Sequence, residues 1–80
     1  MSYLGDLLKK RRNEKGISQN HLAKKMGWSN GQLVSTYERG ECYPPLGSVK
    51  KIAKLVGATK DEIMSAWTID MQIKMDEELR

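Results

Sequence analysis

The stretch SQNHLAKKMGWSNGQLVSTYERG, Ser18 to Gly40, decides how this chain is read. It spells two short helices joined by a tight turn. Ser18 is an N-cap residue, able to accept from backbone N–H groups that lack a helical partner. Leu22, Ala23 and Met26 then fall on one side of a helix. Gly27 follows at the point where a left-handed C-cap residue is wanted, a conformation glycine enters without strain. Ser29 with Gln32 three residues on has the spacing of a capping box and predicts a restart of the helix there. In the second helix, placed over about residues 30–39, Asn30, Leu33, Val34 and Tyr37 share one face. Gln32, Ser35, Thr36 and Arg39 share the other.

Hydrogen-bonding side chains turned outward, with Gly31 in the first turn, suit insertion into a DNA groove, which is the helix-turn-helix arrangement. Over most of its length the chain resembles the lambda-repressor-like DNA-binding domains of phage repressors and Cro proteins. The resemblance rests on Leu4-Gly5, Leu8, Arg12, Lys15-Gly16-Ile17-Ser18-Gln19, Leu22-Ala23, Met26-Gly27, Ser29, Val34-Ser35, Glu38-Arg39-Gly40, Pro44, Leu46, Ile52-Ala53, Val56-Gly57 and Glu62-Ile63. Between Trp28 and Val34 the chain holds one residue more than the usual pattern.

The resemblance implies a sequence-specific transcriptional regulator of double-stranded DNA, a repressor acting by occupancy. It implies that Arg12 pairs with Glu38, tying the first helix to the end of the third, and that Gln19 binds backbone phosphate and buttresses the reading helix. Gln32 is the expected base reader, since its amide can donate to and accept from adenine at once. Ser35 and Thr36 are short enough to reach base edges. Lys24, Asn30 and Arg39 are placed for phosphates, and Gly31 belongs to the same DNA-facing turn. The alternative is a protein-interaction module on the same fold, such as the antitoxin half of a toxin–antitoxin pair.

Outward from this stretch, Tyr3, Leu4, Leu7 and Leu8 form the apolar stripe of a first helix that stops near Gly16. Pro44-Pro45 holds an extended loop that contains Cys42. Leu46, Val49, Ile52, Ala53 and Val56 mark a fourth helix ending at Gly57, with Lys50, Lys51 and Lys54 outside. Thr59 and Glu62 have capping-box spacing and open a fifth helix. Trp28 and Trp67 read as packing residues. With no alternating β-branched run, the expected fold is all-α, a compact five-helix domain over residues 1–67 with a helical tail over 68–80.

In that tail two apolar stripes lie side by side, Ile63, Met64, Trp67, Met71 and Met75 in one and Ala66, Ile69 and Ile73 in the other. They exceed the face that a helix buries on its own domain. A homodimer is therefore expected. The acidic end Asp76-Glu77-Glu78 would point away from the duplex.

Residues 1–67 hold 12 Lys/Arg against 6 Asp/Glu, and residues 68–80 hold 2 against 4. A basic body favours an anionic partner. One cysteine excludes an internal disulfide framework and fits a reducing compartment. No apolar run approaches the ~20 residues of a membrane span, and no signal-peptide core is seen, so a soluble, cytoplasmic protein is expected. His21, the one histidine, has no nucleophile or carboxylate partner in view. One His and one Cys do not make a zinc site, and no glycine-rich phosphate loop is present. Neither enzyme activity, nor a metal or cofactor, nor a small-molecule substrate is expected.

Overall fold

Four of the five helices begin where the chain supplies a side-chain cap or a proline. The computed structural model describes residues 2–79, and among them the elements are α1 (Tyr3–Glu14), α2 (Gln19–Met26), α3 (Gln32–Glu38), α4 (Leu46–Val56) and α5 (Lys60–Glu78). Ser2 caps α1 by accepting from the Gly5 N–H, and Ser18 caps α2 by accepting from that of His21. Thr59 and Glu62 form the full reciprocal capping box of α5. Pro45, extended, precedes α4. No strand occurs among the described residues, and the chain is all-α.

The third helix departs from expectation. It starts at Gln32 rather than near Asn30, and the Ser29–Gln32 capping box is not formed. Asn30 stands in its place, its Oδ1 accepting from the Gln32 N–H at 2.9 Å. An Asx turn of this kind competes with helix locally, so residues 28–31 stay in the turn and α3 keeps seven residues.

The core is drawn from all five helices: Leu4 and Leu8, Leu22 and Ala23, Val34 and Tyr37, Ile52 and Val56, and Ala66. Full burial of each large aliphatic side chain among these stabilises by roughly 1.5–3 kcal/mol. Trp28 and Trp67 pack on its edge, the former edge-to-face with Tyr37 and the latter beside Tyr43. Two residues expected on apolar stripes are instead exposed, Tyr3 at 55% and Leu46 at 77%. Each is the first residue of its helix.

α5 lies along α1 and is tied to both ends of α1. Near the α5 start, the Glu62 carboxylate pairs with the Arg11 guanidinium. Farther along, Asp70 is buried and gathers the α1 N-terminus, accepting from the Ser2 hydroxyl at 2.8 Å and from the N–H groups of Tyr3 and Leu4 at 2.7 and 3.0 Å. A carboxylate among orphan donors at the positive end of a helix dipole is well placed. Burial and the Asp70 charge together raise the Tyr43 phenol above its ordinary pKa. α5 thus crosses residue 67 without a break, and its turn through Asp70 packs on the body.

α1 in turn crosses the end of α3 at Gly5. A Cβ there would lie 2.6 Å from the carbonyl oxygens of both Tyr37 and Glu38, so any side chain would push the helices apart.

Candidate nucleic-acid interface

The turn between α2 and α3 is built from backbone outward. Gly27 takes φ +82°, and the Trp28 N–H closes back on the Ala23 carbonyl at 2.8 Å. The chain then returns to the start of α2, where Asn20 Oδ1 accepts from the Gly31 N–H at 2.8 Å. Gly31 itself is buried there. A Cβ on it would meet Asn20 Oδ1 at 2.8 Å and the Gln19 carbonyl carbon at 2.9 Å. Gly31, expected in the DNA-facing turn, is thus packed against the start of α2. Its missing side chain lets α3 sit against α2, and the exposed turn residues are Ser29 and Asn30.

From this mount α3 presents two different sides. Val34, Tyr37 and Glu38 point inward and are buried. Gln32 and Leu33 are exposed, while Ser35 and Thr36 are half-buried in the same outer surface. Leu33, expected inside, keeps 37% of its surface because the shift of the helix start leaves it beside the turn. The Thr36 hydroxyl donates to the Gln32 carbonyl at 3.0 Å. That bond commits its proton to the backbone, so what Thr36 can offer a ligand is a methyl group and an accepting oxygen.

Behind α3 lies a buried charged network. Arg12 Nε and Nη2 donate to the two oxygens of Glu38 at 2.7 and 3.1 Å, and Nη1 donates to the Ile17 carbonyl at 2.7 Å. Gln19 Nε2 adds a bond to Glu38 Oε1 at 3.0 Å. α1, the start of α2 and the last turn of α3 are therefore held by one carboxylate. The Gln19 amide, expected at a phosphate, faces this carboxylate in the free protein.

Around the outer surface, Lys24 and Lys25 are exposed on α2, and His21 is exposed beside them. Arg39 follows α3 and pairs with Glu41 at 3.2 Å, both side chains more than half exposed. Such a surface pair contributes at most about 1 kcal/mol, so Arg39 can exchange Glu41 for a phosphate at little cost. Lys50, Lys51 and Lys54 are exposed on α4. Cys42 is a free, exposed thiol in the loop after α3. Among the described residues no cluster of ligands suits a metal, and no helix is long and apolar enough to cross a membrane.

Sequence reasoning missed three residues that set this geometry: Asn20, Asp70 and Ser2. Asn20 and Ser2 are of types that cap helices, but Asn20 accepts from the N–H of Gly31, 11 residues away, and no local spacing signals that. Asp70 looked like one more charge on a solvated tail.

The sequence profile of the helix-turn-helix domain matches residues 3–65, the span from α1 into α5. No curated protein and no solved structure matches the chain. With that profile covering most of its length, and with α2, the turn and α3 arranged as described, the chain belongs to the helix-turn-helix domain family.

Proposed function

We propose that this protein is a sequence-specific regulator of transcription that binds double-stranded DNA. In this reading it is of the lambda-repressor and Cro-like kind, represses by occupancy, and works as a homodimer in the cytoplasm. The observation that carries the reading is the two-sidedness of α3. One side is locked by Val34, Tyr37 and the Arg12–Glu38–Gln19 network, and the other offers Gln32, Leu33, Ser35 and Thr36 to solvent. A rigid helix with polar and small side chains outward is what major-groove readout requires.

The roles then divide by chemistry. Gln32 opens α3, and with the Asn30 side chain taking the Gln32 N–H and no Ser29–Gln32 box formed, its amide is left for an adenine edge. Ser35 and Thr36, one turn on, lie over neighbouring bases, where the Thr36 methyl suits a thymine methyl. Lys24, Asn30 and Arg39 hold phosphates and set the register. Gln19 supports α3 through Glu38 and turns its remaining amide capacity toward the backbone.

Titration of binding to duplex DNA against salt tests this directly. The expected result is a linear fall of log affinity with log salt, with a slope of several phosphate contacts. It should be accompanied by recovery of a defined half-site from a random duplex pool. Salt-independent or absent binding would overturn the proposal.

A further inference from the structure

On the outer surface of α3 one side chain does not match its neighbours. Leu33 keeps 37% of its surface in solvent, next to the polar Gln32. It does not stand alone. Leu33 lines a shallow notch of about 510 Å³ with Trp28 and Thr36, and Asn30 and Gln32 complete it. Trp28 is half-buried and held edge-to-face against Tyr37, with 5.9 Å between ring centroids, so its indole is a fixed wall. Thr36 follows Leu33 by one helical turn. Its hydroxyl donates to the Gln32 carbonyl at 3.0 Å, and its methyl is the part free for apolar contact.

We propose that this notch reads the 5-methyl group of a pyrimidine in the major groove, and that it takes 5-methylcytosine as it takes thymine. The inference rests on the DNA-binding reading above. It deepens that reading by naming the chemical group recognised and a covalent mark on DNA that would regulate binding.

Of the four bases only thymine carries a methyl group on its major-groove edge, and apolar side chains are what read it. Cytosine has a hydrogen on the same ring carbon. With cytosine in place, Leu33 and Trp28 face water instead of a methyl group, and the apolar area stays wet. Methylation of cytosine at carbon 5 puts the missing group where thymine has it. Apolar walls respond to the methyl, whichever ring carries it. Gln32 sets where to look for it. Its amide is left for an adenine edge, and Leu33 is the next residue of the same helix. Neighbouring base pairs lie about 3.4 Å apart, a step that adjacent side chains span. The methyl read therefore belongs to a base pair beside the one Gln32 reads.

The test uses the full chain and a half-site recovered by selection from random duplexes. Affinity is read by fluorescence anisotropy at one salt concentration. Each thymine of the half-site is replaced in turn by deoxyuridine, which removes the methyl and nothing else. One replacement should weaken binding roughly fourfold, the worth of one buried methyl group. At that position 5-methylcytosine should bind more tightly than cytosine by about the same factor. Leu33→Ala should abolish both differences, and Leu33→Met, which keeps an apolar side chain of similar reach, should retain them. Leu33 is exposed and alanine is the better helix former, so the Ala variant keeps α3, which circular dichroism checks.

Binding that ignores the methyl at every position overturns the proposal, and so does a half-site without thymine. A Leu33→Ala protein that still senses the methyl does the same, as do cytosine and 5-methylcytosine bound alike. The two readings fail differently. A chain that binds no duplex overturns the proposed function and this inference with it. Salt-dependent, sequence-specific binding that is blind to the methyl overturns the inference alone.

Discussion

Arg12 holds Glu38 through two parallel bonds, Nε to Oε2 at 2.7 Å and Nη2 to Oε1 at 3.1 Å, with both side chains at least nine-tenths buried. This fork joins α1 to the last turn of α3, and it is satisfied on every side: Arg12 also donates to the Ile17 carbonyl, and Glu38 also accepts from Gln19. Removing either partner leaves the other buried and uncompensated. Arg12→Ala and Glu38→Ala should each destabilise by roughly 3–5 kcal/mol. The double substitution should cost less than the sum of the two, by a coupling of up to about 3 kcal/mol. Urea unfolding of the three variants measures this, and strict additivity would mean the fork contributes no cooperative energy.

Gln32 and Lys24 should separate reading from gripping. Gln32→Ala should cost roughly 1–3 kcal/mol on the cognate site and relax the preference at one base position of each half-site. Lys24→Ala should weaken binding to all duplexes alike and reduce the salt slope by about one. Selection of bound sequences with each variant gives the answer. An unchanged preference in Gln32→Ala would move the reading role to Ser35 and Thr36.

Glu62 should make stability depend on acid. Its hydrogen bond from Arg11, with further bonds from Thr59, lowers its pKa from the usual 4.5 to about 2. Because the folded-state value is depressed, the stabilisation is fully present above about pH 4.5. It is lost as the pH falls from there through about 2. Glu62→Gln keeps a side chain able to complete the capping box but removes the charge. The variant should therefore be less stable than wild type near neutrality, with the difference vanishing toward about pH 2. Paired urea titrations across that window check it, and a difference independent of pH would show that Arg11 contributes no charge pairing.

What the sequence by itself determined are the features in which a residue's consequence is confined to its own helix turn or to a repeated spacing. Ser18, Gly27, Gly57 and the Thr59–Glu62 box announce helix ends because caps act on backbone groups within a few residues. Leu4, Leu8, Leu22, Val34, Ile52 and Val56 announce buried faces because helical periodicity puts them on one side. The Arg12–Glu38 tie was legible only through resemblance, since nothing in residue spacing brings positions 26 apart together. Tertiary structure decided the rest. Whether Ser29 or Asn30 governs the start of α3 was a contest between two local caps. Asn20, arriving from α2 to hold the Gly31 N–H, favours the later start. The missing side chain of Gly31 makes room for α2, a contact its place in the turn did not announce. Asp70 looked like tail and is buried against the N-terminus of α1, because α5 continues far enough along α1 to bring a carboxylate to the orphan donors there. In each case the deciding partner comes from another helix, and a contact of that kind leaves no period in the sequence.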